Sequence, residues 1–418
     1  MLSEKSQNTI SIAVDSMGGD GAPDVVLDGV RQALAAEPRL TVLLTGPKDI
    51  VKPFAKATNK AYSQLRVVAI ATTEFIGMDE HPVAAVRSKK DSSIVVGCKM
   101  VKQSLAKGFF SAGSTGACMA AATLVIGRAK GVLRPAIATQ IPAPKGDVLL
   151  LDVGANADVK PDVLLQFALL GQAFAQRVMN VANPRVALLN IGSEKSKGSM
   201  LAQETHALLA AVASESLEAC NNDGTDVSMS DAKEVSANAK AHANANANAS
   251  CNVNAKANAN ANCNANANAN VNCNVNAKAN AKANPLNFIG NIEGNDILQG
   301  CCDVIITDGF TGNVVLKTIE GAVSSLFSEV KAVFASSLKT KLAGALVLGD
   351  FQQLKNQLSA ERVGGSPLLG VNGAVVIGHG SSSARAISNG ILATFKAVES
   401  GFLNNIASIL SSEHAHNE

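Results

Sequence analysis

The sequence predicts an α/β domain built on a mainly parallel sheet, and three observations carry that expectation. Short runs rich in β-branched residues or leucine recur along the chain. Each run ends in a loop of Gly, Asn, Asp, Ser, Thr or Lys, and an amphipathic helical stretch follows each loop. Strands alternating with helices at this spacing need crossover connections, which lay successive strands parallel. In order, residues 10–14 lead through MGGDGAP into a helix over 24–34, and residues 108–112 lead through 113–116 into a helix over 117–128. Residues 148–151 lead through DVGANADVK into a helix opening at Pro161, where proline suits the first turn. Residues 186–191 lead through GSEKSKGS into a helix over 200–209, on which His206 reads as a solvated position. Residues 304–307 lead through DGFTGN into a long helix, and residues 374–377 through GHGSSS into the last one.

One stretch breaks the pattern. From about residue 237 to 284 the chain is nearly a pure Asn-Ala alternation, preceded by a polar run. Ala and Asn are poor strand residues, Ala has little area to bury, and Asn competes for helical hydrogen bonds. Residues 213–285 are therefore expected to be a disordered insert in a surface loop, where added length costs little. It divides the catalytic domain into a first part over 9–212 and a remainder over 286–410.

Composition narrows the function. Charges nearly cancel at +2 over 418 residues, Trp is absent and Tyr62 is the single tyrosine, so neither a global basic field nor a base-stacking platform points to nucleic acid. None of the eight cysteines forms a C-x-x-C pair, which fits reduced thiols. The N-terminus is polar and the apolar runs are too short to span a bilayer, so a cytoplasmic protein is expected. No P-loop and no G-x-G-x-x-G follows a strand. Ser114 is not in a nucleophile elbow, because Ala112 occupies the first glycine position. Asp15, Asp152 and Asp308 lack paired-carboxylate spacing, so no metal and no cofactor is expected.

Ligands of such sheets bind beyond the carboxyl ends of the strands, and the six loops are expected to lie along one such edge. Helix N-termini there suit phosphate or a developing oxyanion. Gly18, Gly19, Gly113 and Gly116 permit close backbone approach. Of the six histidines, His379 in its Gly-Ser loop is a better acid–base candidate than His81.

Eight motifs then carry a specific resemblance: IAVDSMGGDGAPD (12–24), MDEHPVAAVRSKKDSSIVVG (78–97), SAGSTGA (111–117), LLDVGANADVKPDVLLQFA (150–168), NIGSEKSKG (190–198), NFIGNIEGNDI (287–297), DGFTGNVVLKTIEG (308–321) and GGSPLLGVNG with GHGSSS (364–383). Together they resemble the phosphate acyltransferase (PlsX) family. Ser114 stands where that family usually has Asn, and Asn295 where Arg is common. The resemblance implies a three-layer Rossmann-like sandwich, similar to isocitrate and isopropylmalate dehydrogenases and phosphate acetyltransferases, with a helical hairpin over 321–358. It further implies acyl transfer from acyl carrier protein to inorganic phosphate, giving acyl phosphate for phospholipid synthesis.

A thioester is already activated and phosphate is itself a nucleophile, so direct attack needs only alignment and oxyanion stabilisation. On that reading Lys160 is the first choice for phosphate charge. Asn190, Asp308 and His379 are further catalytic candidates. Asp15, Gly18, Gly19, Thr115, Asn156, Lys197, Asn313 and Ser381 are candidates for phosphate or substrate binding. Arg87, Lys89 and Lys90 form a basic cluster suited to the acidic carrier protein. Apolar residues at helical spacing over 323–338, flanked by lysines, suit either a buried interface or a membrane surface. The resemblance implies a homodimer and contact, at the inner face of the cell membrane, with the membrane glycerol-3-phosphate acyltransferase that acts next.

Overall fold

The computed structural model describes residues 9–221, 285–403 and 406. Residues 222–284 of the expected insert, with His242 and three of its cysteines, lie outside them, as do His414 and His416; residues 213–221, expected to be disordered, instead prolong the helix that begins at Met200. Two compact units divide the chain, one of residues 1–211 with 286–418 and one of residues 212–285. The first unit holds all that follows apart from residues 212–221 of one helix.

Its N-terminal part is a series of parallel strands. β1 (Ile10–Asp15) leads to α1 (Asp24–Ala36), β2 (Leu40–Pro47) to α2 (Lys48–Tyr62), and β3 (Val67–Thr72) to α3 (Pro82–Ser88) and α4 (Ser93–Lys102). β4 (Gly108–Ser111) then enters α5 (Thr115–Ala121), which passes into one π-helical turn at Ala122–Ile126, so the α-helix expected over 117–128 changes winding midway. β5 (Ala136–Ile141) turns back into β6 (Val148–Leu151), followed by α6 (Pro161–Arg177), β7 (Val186–Leu189) and α7 (Met200–Asn221). After the insert come β8 (Phe288–Ile292), β9 (Val304–Ile306), α8 (Gly309–Ala335), α9 (Leu338–Leu358), β10 (Ser366–Leu369), β11 (Ala374–Ile377) and α10 (Ala384–Glu399). The expected hairpin is α8 with α9. Its first helix starts at Gly309, capped by Asp308, and Ser337 caps the second through Thr340.

Eleven strands form one sheet in the order β3-β2-β1-β4-β11-β10-β5-β6-β9-β7-β8. Parallel sheets need cover on both faces, and the central strands read accordingly as unbroken apolar runs. Phe109 and Phe110 of β4 are wholly buried on opposite faces. Phe109 packs against α4 at Gly97, where an added Cβ would lie 2.4 Å from its ring. Phe110 meets Gly390 of α10 at 2.2 Å by the same measure. Glycine at these two helical positions is thus a requirement of close helix–sheet contact.

The sheet does not carry its loops along one edge. Pairs β11/β10, β10/β5 and β5/β6 are each antiparallel. Three reversals in succession make β6, β9, β7 and β8 run opposite to β3, β2, β1, β4 and β11. Loops after β1, β4 and β11 therefore leave one edge, and those after β6, β7 and β9 leave the other. His206 also departs from expectation. It is 7% exposed, its Nδ1 lies 2.9 Å from Asn291 Oδ1, and its ring meets Phe288 edge-on. The helical face it occupies is turned to β8.

Candidate active site

Two clusters of loops form, one from each half of the sheet. In the first, Gly113 N donates to Ser111 Oγ (3.0 Å), which donates to Asp15 Oδ2 (2.7 Å), while Met17 N donates to Asp15 Oδ1 (2.9 Å). Gly378 N donates to Ser111 O and Asp20 N to Gly380 O, so the loops after β1, β4 and β11 are tied together. Gly18 and Gly19 are spent on this packing. A Cβ on Gly18 would lie 2.6 Å from Gly113 N, and Gly19 has φ of 99° with Gly380 O beside it. The close approach they permit is to neighbouring backbone.

Asp15 is 1% exposed, and burial pushes its carboxyl above the usual value, against the hydrogen bonds that pull it down. A raised folded-state value means the native protein binds this proton more tightly than the unfolded chain does. The stability Asp15 contributes relative to Asp15→Asn is therefore greatest below 3.8, its ordinary value, and declines as pH climbs to the elevated one. Denaturation of both proteins across the acid range tests this; a gap that widens with rising pH would contradict it.

The second cluster joins DVGAN to DGFTGN. Asp152 is fully buried, and its carboxylate accepts from Ile137 N (3.1 Å), Gly154 N (3.3 Å), Ala155 N (3.1 Å), Asn156 N (2.7 Å) and Asn156 Nδ2 (2.9 Å). Asn156 Nδ2 also donates to Pro135 O, so this side chain holds the loop. The first turn of α8 rests directly on it. Gly309 N donates to Asn156 O, and a Cβ on Gly312 would fall 1.9 Å from Asp152 O. Only glycine fits there, and the contact fixes where Asn313 and Lys317, one turn apart, emerge from the helix.

Between the clusters lies a cleft of about 520 Å³ over the antiparallel strands. Its floor includes Thr139 of β5 and Ser366 of β10, whose hydroxyls are 2.8 Å apart. Asn313, Lys317 and Glu320 of α8 form one wall, and His379, Ser381 and Thr115 the opposing rim. His379 Nδ1 lies 2.9 Å from Ser381 Oγ, and Lys317 Nζ donates to Glu320 at 2.8 Å. Lys317 is the only lysine or arginine lining the cleft among the described residues.

Four sequence candidates thus meet in one cleft: Thr115, Asn313, His379 and Ser381. The others are placed elsewhere. Lys160 is exposed at the N-terminus of α6, outside the cleft lining. Asn190 Nδ2 donates to Lys197 O, closing the loop after β7, and Lys197 is exposed. Asp308 accepts from Thr311 N and Oγ1 as the cap of α8. Lys89 pairs with Glu80 at 2.7 Å, which pulls that glutamate below its usual value, whereas Arg87 is exposed and Lys90 reaches Val86 O. Lys317, Thr139 and Ser366 were absent from the sequence candidates. Lys317 carried a readable signal, since it lies four residues after Asn313 in the same motif and so on the same helical face.

The family described as "Fatty acid synthesis protein" matches residues 10–238 and 265–405. A phosphate acyltransferase from Heliobacterium modesticaldum is 39% identical over 392 residues, covering 94% of this chain and 95% of that protein. One from Desulfitobacterium hafniense is 37% identical over 396 residues, covering 94% and 96%. The structure of EutD phosphotransacetylase from Staphylococcus aureus is similar in fold, at a TM-score of 0.50 and 16% identity over 94% of this chain and 95% of that one. With these relatives matched over nearly its whole length, the chain belongs to the phosphate acyltransferase (PlsX) family and is an acyltransferase.

Proposed function

We propose that this protein transfers a long-chain acyl group from the thioester of acyl carrier protein to inorganic phosphate, releasing acyl phosphate for phospholipid synthesis. The observation that carries the reading is the cleft itself, with Lys317 and Asn313 on one wall, the Thr139–Ser366 hydroxyls on its floor and the His379–Ser381 loop on the opposing rim. A phosphate held by Lys317 and Asn313 attacks the thioester carbonyl through one oxygen. The new C–O bond forms, the C–S bond breaks, and the carrier's thiolate leaves and takes up a proton. Polar groups aimed at the carbonyl oxygen lower the barrier as negative charge develops. Lys160 remains an alternative holder of phosphate, because a free helix N-terminus adjoins it.

Acidic carrier protein suits the surface bearing Arg87, Lys89 and Lys90, beside which Phe75, Met78 and Val83 are exposed. Met78 lies against Gly380 of the cleft rim, since a Cβ there would come within 2.9 Å of Met78 Cε. No helix among the described residues is long and apolar enough to cross a membrane. Leu342, Leu346, Val347 and Leu348 of α9 are exposed, which suits a homodimer contact or peripheral contact with the membrane that houses the next acyltransferase.

The test is direct. Carrier protein loaded with a hexadecanoyl chain, incubated with enzyme and labelled phosphate, is expected to lose its thioester only when phosphate is present and to yield labelled acyl phosphate. Loss that ignores phosphate would overturn the reading.

A further inference from the structure

A second cavity, of about 460 Å³, adjoins the first. The two share Thr139, Gln140, Leu316 and Glu320 in their linings, so they adjoin along β5 and α8. Beyond that junction the lining changes character. Leu316, Ile319, Val323 and Phe327 follow one another at spacings of three, four and four residues, which sets them in a single stripe along α8. Ile141 and Pro142, at the end of β5, face the stripe, and Leu358 of α9 closes its far end. All four stripe residues are only half-buried. An apolar surface left in contact with water forgoes the stabilisation that burial gives it.

Phe327 lies in the distal part of the groove, with Lys331 one turn beyond it, and is held in place. Its ring meets Phe351 of α9 edge-on at 5.1 Å, and Phe351 in turn meets Phe334 at 6.2 Å. From Leu316 to Phe327 the helix advances about 16 Å. The cleft thus adjoins a more apolar groove in which Phe327 is the bulkiest apolar side chain.

We propose that the groove between α8 and Ile141–Pro142 holds the acyl chain, with the reacting carbonyl beside Lys317, and that Phe327 limits the chain length accepted. The proposal rests on the acyl-transfer reading above. Adjacency to the cleft selects the occupant: the substrate is a polar reacting head joined to an unbranched apolar tail, and the two adjoining cavities grow more apolar in that order.

Two variants test it. Val323→Phe fills the middle of the groove, and Phe327→Ala opens its distal part. Rates of phosphate-dependent thioester loss are measured with octanoyl and hexadecanoyl carrier protein, alongside thermal unfolding to show that each variant folds. Val323→Phe is expected to lower kcat/KM for the hexadecanoyl donor by roughly tenfold or more relative to the octanoyl donor. Phe327→Ala is expected to move preference towards longer chains. Equal loss on both donors, or unchanged ratios, would overturn the groove assignment while leaving the acyl-transfer reading in place.

A binding arm stands apart from turnover. Calorimetric titration with hexadecyl phosphonate is expected to show binding to the wild type that Val323→Phe weakens, with little effect on octyl phosphonate. If the wild type lacks phosphate-dependent turnover, that result alone supports an apolar-chain site. If Val323→Phe instead dissociates a dimer and spares chain preference, the groove belongs to a second copy of this chain and the proposal fails.

Discussion

Lys317→Met is expected to lower kcat/KM for phosphate by roughly 10²–10³-fold, the usual cost of removing one group that stabilises transition-state charge. Lys317 supplies the cleft's positive charge, and its neighbour Asn313 lies one helical turn away. Folding is expected to survive. The side chain is 50% exposed and its partner Glu320 sits three residues on, a surface pair worth only about 0.3–0.5 kcal/mol. Lys317→Arg is expected to recover part of the loss, because the charge returns in a different shape. Initial rates over a range of phosphate concentrations measure all three. Lys160→Met is the informative comparator: a loss confined to that variant would move the phosphate site to the N-terminus of α6.

Asp152→Ala is expected to destabilise the protein by about 3–5 kcal/mol, measured by urea denaturation, because buried N–H donors lose their shared acceptor. Five such bonds converge on this one carboxylate. They shape the loop on which Gly309 and Gly312 rest, so the variant is also expected to lose activity beyond its loss of stability. Asp152→Asn keeps one carbonyl acceptor and is expected to fall between the two. An alanine variant as stable as the wild type would mean that the loop holds its form through other contacts.

Much of the fold was legible because strand, loop and helix repeat with distinct chemistry, as in the runs ending at Asp15, Ser111 and Ile377. The reversal was not. β5 (AIATQI) and β10 (SPLL) each lead by a short turn into another strand rather than a helix, and parallel or antiparallel pairing leaves no trace in such short runs. Attention to loops also hid Lys317, which stands a full turn inside a helix. Asn156 and Gly18 illustrate the opposite effect. Residue types suited to holding ligands are equally suited to holding backbone, and three-dimensional packing decides between the two uses. His206 reads as polar surface until β8, distant in sequence, supplies Asn291 and Phe288.

The position of β10 and β11 governs how this molecule is born. Their partners are β4 and β5, with Ala374 beside Gly108 and Leu368 beside Ile137, so the middle of the sheet is filled by segments translated long after the strands on either side. While the chain emerges, β4 and β5 present bare, hydrogen-bond-hungry edges flanked by apolar side chains, a setting that invites pairing with the wrong neighbour. Closure must await the late arrival of a distant segment, which places a slow, long-range step at the end of folding. A nascent chain stopped before Ser366 therefore lacks more than a tail: its two halves have no keystone, and the cleft does not exist.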